Sequence, residues 1–196
     1  MINKFGDGIS WEAHIEKIIQ EKNIFHKYDP NFSIIKTIKK YITTGKLLDC
    51  GCHIGRWSKF FISAGFDYTG VDQSEEAIKK ARELSPGIKF VHSFLWDMNF
   101  NEEFDIAVCI AVLQHNLLEE KHKIIPKIYN ALRPEGIFFM TESTVSIATA
   151  TQMTYQGWID LVENYGFKFL ESWHENELGL HDHYIFQKFL LSKNKE

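Results

Sequence analysis

From Lys46 onward, short apolar runs alternate with amphipathic stretches, and no other feature of the chain constrains its fold as much. Leu47-Leu48-Asp49-Cys50, Tyr68-Thr69-Gly70-Val71, Phe90-Val91, Phe104 to Leu113 and Ile137 to Met140 read as strands. The longest of them lacks polar alternation, as expected of a strand covered on both faces in a parallel sheet. Helix signals lie between the strands. A helix is expected from about Gly55 to Ala64. Ser74 is a good N-cap for a helix through Leu84, with Glu75 and Glu76 suited to the positive end of its dipole. Leu117 to Leu132 reads as a helix in which Pro126 makes a kink or a late start, and Thr154 to Tyr165 as one stopped by Gly166. Five strand–helix alternations predict an α/β fold with a largely parallel sheet and helices on both faces. Phe167 to Trp173 and Tyr184 to Leu190 are joined by a short segment without helix signals, so they should pair antiparallel and form an edge.

The first 45 residues have a different character. Trp11, Ile15, Ile18 and Ile19 repeat at helical steps, Asp29-Pro30 interrupts, and Phe32, Ile35, Ile38 and Ile42 resume the pattern. Residues 1–45 are therefore expected to form a helical cap on a core of residues 46–196, one domain overall. Twenty-six acids against 22 bases give a net charge of -4, which argues against nucleic acid as a partner held by broad electrostatic capture. Cys50, Cys52 and Cys109 sit in apolar stretches and are too few for a disulfide framework, so a reducing cytoplasm fits. The N-terminal MINKFGDGIS lacks the apolar core of a signal peptide. Phe104 to Leu113 falls well short of the roughly 20 residues a membrane span needs, so no membrane partner is expected.

In sheets of this kind, ligands bind beyond the carboxyl ends of the strands. The first strand leads into Asp49-Cys50-Gly51-Cys52-His53-Ile54-Gly55, a turn in which Gly51 and Gly55 allow tight curvature and close backbone approach. The helix after it would present its positive end to an anionic group. The second strand ends at Asp72, where a carboxylate can accept both hydroxyls of a ribose. A dinucleotide fingerprint would need glycines at the positions held by His53 and Arg56, so the layout suits a nucleoside without a pyrophosphate.

LLDCGCHIGRWS, YTGVDQSEEAIKKARE, FDIAVCIAVLQH and ALRPEGIFFMTE resemble, in order, the successive motifs of the class I S-adenosylmethionine-dependent methyltransferases, over roughly Lys46 to Leu190. The resemblance implies a Rossmann-like seven-stranded mixed sheet with an antiparallel last strand, S-adenosylmethionine as cofactor and S-adenosylhomocysteine as product. It also implies in-line methyl transfer, and aromatic side chains near the N-terminal cap, able to enclose a compact acceptor, point to a small-molecule nitrogen or oxygen acceptor. By position it makes Gly51, with Cys52, His53 and Gly55, the cradle for the methionine part, and has Asp49 orient that turn and reach the amino group. Asp72 would hold the ribose with Gln73 beside the adenine, Phe94 and Leu95 would flank the adenine ring, and the Ile110 backbone would lie near the methionine amine. The chain departs from the family at His53, which replaces the middle glycine of the first motif. It departs again at Phe94, which stands where an acid is common, leaving adenine to be recognised by stacking and by backbone.

Other residues admit two readings. His115, just past the fourth strand, is a candidate general base or a packing and capping residue. His53 either touches ligand or is accommodated in the turn. Trp11, Phe25 and Tyr28 line a lid over the sulfonium or pack a helix. His181-Asp182-His183 has an H-x-H spacing without an evident third ligand, so no metal is expected. DCGCHIGR and VLQHN are also similar to the α-amino methyltransferases, which keeps a protein or peptide N-methyltransferase as the alternative, beside a non-enzymatic S-adenosylmethionine-binding protein. The N-P-P-Y type of motif used on exocyclic base nitrogens is absent after the fourth strand.

Overall fold

A computed structural model describes residues 31–142, 153–174 and 182–189. Trp11, Phe25, Tyr28 and His181 lie outside them. The described strands are β1 (Gly45–Cys50), β2 (Phe66–Asp72), β3 (Lys89–His92), β4 (Phe104–Ile110), β5 (Leu132–Glu142), β6 (Phe167–His174) and β7 (Asp182–Lys188). The described helices are α1 (Asn31–Ile38), α2 (Ser58–Ser63), α3 (Glu75–Leu84), α4 (Leu118–Ala131) and α5 (Tyr155–Glu163).

The strands form one seven-stranded sheet in the order β3-β2-β1-β4-β5-β7-β6. Pairing is parallel from β3 through to β5, and β7 runs antiparallel to both β5 and β6. The expected hairpin forms, but its second strand inserts next to β5 and leaves β6 as the edge. Burial explains that order. Tyr184, Ile185 and Phe186 are buried in succession, as a strand covered on both faces requires, while β6 is half-exposed along most of its length.

Successive residues of the central strands feed two cores. Leu48, Ala107, Cys109, Phe138 and Met140 point to one face, covered by Ile124, Ile125 and Ile128 of α4 and Trp158 and Val162 of α5. Leu47, Ile106, Val108, Ile137 and Phe139 point to the other, covered by Ile34 and Ile38 of α1, Phe61 of α2 and Ile78 and Ala81 of α3. Each large side chain buried in this way contributes about 1.5–3 kcal/mol, which makes the period-two alternation the main determinant of register. Ile34 and Ile38 share a core with Leu47, so α1 packs directly on the sheet.

Local signals place the helix ends. Ser74 Oγ accepts from Ala77 N at 3.2 Å and Thr154 Oγ1 from Gly157 N at 3.0 Å, so both act as N-caps. The chain α4 runs unbroken through Pro126 from Leu118, so the late start does not occur. The helix expected from Gly55 begins only at Ser58, because Gly55 has φ +74, a left-handed conformation that cannot continue into a right-handed helix. The strand expected at Ile137–Met140 extends at both ends. Leu132 already pairs with Phe104, and a register shift precedes Ile137↔Ile106. Strand order reverses between β1 and β4, and the crevice of such a sheet lies there, beyond the strands' carboxyl ends.

Candidate functional site

Two loops flank that crevice: the turn after β1 and the segment after β4. They meet directly. A Cβ on Gly51, whose φ is +82, would stand 2.5 Å from a methyl carbon of Val112, so the close approach of the two loops requires glycine.

The turn after β1 is held by its own chain. Gly51 N and Cys52 N both donate to Val71 O, at 2.8 and 3.0 Å, and Gly55 N donates to Cys52 O at 2.9 Å. His53 N donates to Asp72 Oδ2 at 2.8 Å, while Asp72 Oδ1 accepts from Ser74 N at 2.9 Å. The sequence pattern reads this turn as a set of amides open to a ligand, yet those of Gly51, Cys52, His53 and Gly55 already have acceptors within the protein. Those four amides are therefore not free to cradle a phosphate. The six residues of α2 also make it too short to act as an anion-binding helix end. His53, where the motif departs from glycine, has φ +53 and is buried; histidine is among the few side chains enriched in that conformation, so the turn keeps its left-handed shape.

Acidic groups line the same edge. Asp49 is 1% exposed and its Oδ2 accepts from the Tyr68 hydroxyl at 2.5 Å. Burial pushes its carboxyl up to about 7; the Tyr68 hydrogen bond opposes that, the Asp72 charge adds to it, and nearby Arg56 counters it. Burial also raises Asp72, against the pull of the amides that bind it. Arg56, directly after Gly55, is half-buried and is lowered by burial while Asp49 holds it charged. A cation next to the glycine turn is a signal the sequence carries, but only its nearness to Asp49 gives it meaning.

Gln73 follows Asp72, and its carbonyl oxygen lies 3.0 Å from His92 Nε2. Phe94 is half-buried and stacks on Trp96, with ring centres 4.7 Å apart at 12°. Leu95 turns its side chain into the core at 7% exposure. Ile110 ends β4 half-buried, and Ala111 follows at φ +56, its N–H donating to Thr141 O at 2.8 Å. A 3-10 turn, Leu113–His115, comes next; His115 is half-buried at its end, its Nε2 3.3 Å from Gln114 Nε2. Gly51, Cys52, His53, Gly55 and Asp72 are thus joined in one hydrogen-bonded unit with Val71, and Asp49 lies next to it, bonded to the Tyr68 hydroxyl. Gln73, Phe94 and Leu95 follow on one side, and Ile110 and His115 lie across the strand-order reversal.

Sequence reading missed Glu142. It ends β5 fully buried, and its two oxygens accept from Leu113 N at 3.0 Å and Gln114 N at 2.8 Å. The signal was available, because an acid just after the apolar run Ile137 to Met140 is the same kind of strand-end carboxylate that singles out Asp49 and Asp72. His183 of the H-x-H segment is buried, stacked 4.7 Å from Trp173 and 6.1 Å from Phe139.

Residues 47–136 match the family model described as a methyltransferase domain. The ubiquinone biosynthesis O-methyltransferase of Haemophilus ducreyi is 27% identical over 127 residues, 59% of this chain and 53% of that protein. The chain spans about half the length of the curated relatives it matches first. Among solved structures, a TehB-like S-adenosylmethionine-dependent methyltransferase from Corynebacterium glutamicum superposes with a TM-score of 0.75 at 18% identity, covering 90% of this chain and 99% of that one. The 1,6-didemethyltoxoflavin-N1-methyltransferase of Burkholderia thailandensis, solved with 1,6-didemethyltoxoflavin and S-adenosylhomocysteine bound, gives 0.71 at 20% identity, covering 90% and 84%. At these identities the structural likeness establishes the fold.

Proposed function

We propose that the chain acts as a class I S-adenosylmethionine-dependent methyltransferase and transfers a methyl group from S-adenosylmethionine to a nitrogen or oxygen of a small molecule, a reading supported by the methyltransferase-domain match over residues 47–136. The observation that carries this reading is the pair of acids at the carboxyl ends of β1 and β2, buried Asp49 and half-buried Asp72, beside a turn whose amides at Gly51, Cys52, His53 and Gly55 are already bonded. A pyrophosphate would meet carboxylates and find few donors. A nucleoside bearing an ammonium and a sulfonium would meet acceptors, and its charge would favour the ionised form of each acid.

The residues present fit that cofactor. Asp72 takes the ribose hydroxyls, because a carboxylate oxygen that accepts one amide keeps a further lone pair for a hydroxyl. Asp49 receives the ammonium, and Arg56 is the cation next to the turn for the carboxylate. Gln73, Phe94 and Leu95 border the adenine, with Leu95 contributing backbone and Phe94 a ring backed by Trp96. The Ile110 backbone lies on the methionine side. The cofactor supplies the electrophilic methyl group, so the protein has to align the acceptor and exclude water. His115 stands where an acceptor would approach and takes the proton of an amine or hydroxyl during attack. The N1-methyltransferase that shares the fold, solved with a compact substrate, supports a small acceptor here.

Mass spectrometry of ligands retained by the purified protein tests the reading. S-adenosylmethionine or S-adenosylhomocysteine is expected, followed by methyl transfer in a screen of amine and hydroxyl acceptors. Retained NAD without either sulfur nucleoside would overturn it.

A further inference from the structure

The end of β5 grips the segment after β4 at three successive points. Thr141 O and Oγ1 receive Ala111 N at 2.8 and 3.1 Å, and the two oxygens of Glu142 receive Leu113 N and Gln114 N. Ala111 is left-handed at φ +56, and a non-glycine residue stays in that region only where its surroundings over-determine it. The Leu113 and Gln114 amides open a 3-10 turn too short to satisfy them itself, so Glu142 caps that turn from 28 and 29 residues away. A neutral side chain could cap a turn. Here a fully buried carboxylate does so, with the fully buried Lys121 of α4 drawn toward it and lying 4.9 Å from the Trp158 ring. Burying two such ionisable groups is costlier than burying a neutral cap, and the place chosen is the strand end that faces the crevice.

We propose that Glu142 is a positioning residue for methyl transfer, which by holding the amides of Leu113 and Gln114 fixes where His115 stands against cofactor and acceptor. The proposal rests on the methyltransferase reading above, and its test separates the two. The titratable groups facing Glu142 are Lys121, with Glu120 beside it, on α4, Cys109 on β4, and Asp182 and Tyr184 on β7. Burial pushes the Glu142 carboxyl up to about 8, while the two amides and Lys121 pull it down. A proton arriving on one oxygen weakens that oxygen as an acceptor, so the turn reports the titration.

The full chain is followed by NMR across the slightly acidic to alkaline range, alone and saturated with S-adenosylhomocysteine. In the wild type, the amide signals of Leu113 and Gln114 and the ring signals of His115 are expected to share one transition near 8. In E142Q that transition disappears from all three, and hydrogen exchange at the two amides accelerates by about tenfold or more. Affinity for S-adenosylhomocysteine stays within about threefold, since neither amide belongs to the ribose or methionine contacts. E142D, which keeps the charge on a shorter stem, retains the transition with weaker protection, and it serves if E142Q does not fold. Should neither variant fold, the wild-type transition decides alone. A wild type without the shared transition, or a folded E142Q with unchanged amides and His115 ring, overturns the proposal. A wild type that shows the transition but binds no S-adenosylhomocysteine removes the methyltransferase reading and leaves Glu142 as the clamp of a differently employed His115.

Discussion

The backbone N–H of His53 donates to Oδ2 of Asp72 at 2.8 Å, so the turn after β1 and the end of β2 behave as one unit. With Ser74 N on the other oxygen, Asp72 carries structure as well as the proposed ribose contact. Asp72→Ala is therefore expected to lower stability by about 1–3 kcal/mol and to weaken S-adenosylhomocysteine binding at least about tenfold. Denaturant unfolding and calorimetry read the two effects separately. A folded variant of unchanged affinity would remove Asp72 as the ribose anchor.

Gly51→Ala brings two penalties. The new methyl meets Val112 at 2.5 Å, and φ +82 disfavours any side chain. Overpacking costs roughly 1–3 kcal/mol and the left-handed backbone about 1–2 kcal/mol more. Adding Val112→Ala should restore the steric share and leave the backbone share, so the double variant is expected between Gly51→Ala and wild type in chemical denaturation. Equal stability of the single and double variants would show that the two loops do not press on each other.

Asp49 links stability to pH. Its carboxyl stands at about 7 in the folded chain, against about 3.9 for an unfolded aspartate. Between these values the folded chain holds a proton that the unfolded chain releases. The stabilisation is therefore complete below about 4 and is lost as pH rises through about 7. Asp49→Asn removes the titration and keeps an acceptor for the Tyr68 hydroxyl. The stability of the variant relative to wild type is expected to climb by about 1 kcal/mol or more from mildly acidic to mildly alkaline pH. Melting curves of both proteins across that range check it, and a difference that stays flat would place the proton elsewhere.

His115→Ala tests the general base once an acceptor is in hand. Turnover should fall about 10²-fold or more with cofactor affinity little changed, and the pH–rate profile should lose a limb near neutrality. Normal turnover would leave His115 as a packing residue at the end of its 3-10 turn.

What the sequence made legible is local or periodic. The caps at Ser74 and Thr154 are written within four residues, and the strands show as unbroken apolar runs. The placement of β7 inside and β6 outside was also written in their patterns, since Tyr184-Ile185-Phe186 is continuous while Lys168, Glu171 and Ser172 interrupt the apolar residues of β6. The site was legible as residue types but less so as bonds. That the turn amides are consumed internally depends on Val71 and Asp72, about 20 residues along the chain, and no local signal announces it. The grip of Glu142 on Leu113 and Gln114 spans a longer separation still and exists only once β5 lies beside β4.

Titration calorimetry of the purified chain with S-adenosylmethionine, S-adenosylhomocysteine and NAD tests the central claim most directly. The acids at the ends of β1 and β2, Asp49 and Asp72, should give saturable binding of both sulfur nucleosides at micromolar or tighter affinity, about −8 kcal/mol or better, and no comparable heat with NAD. Tight NAD binding together with no signal from either sulfur nucleoside would contradict it.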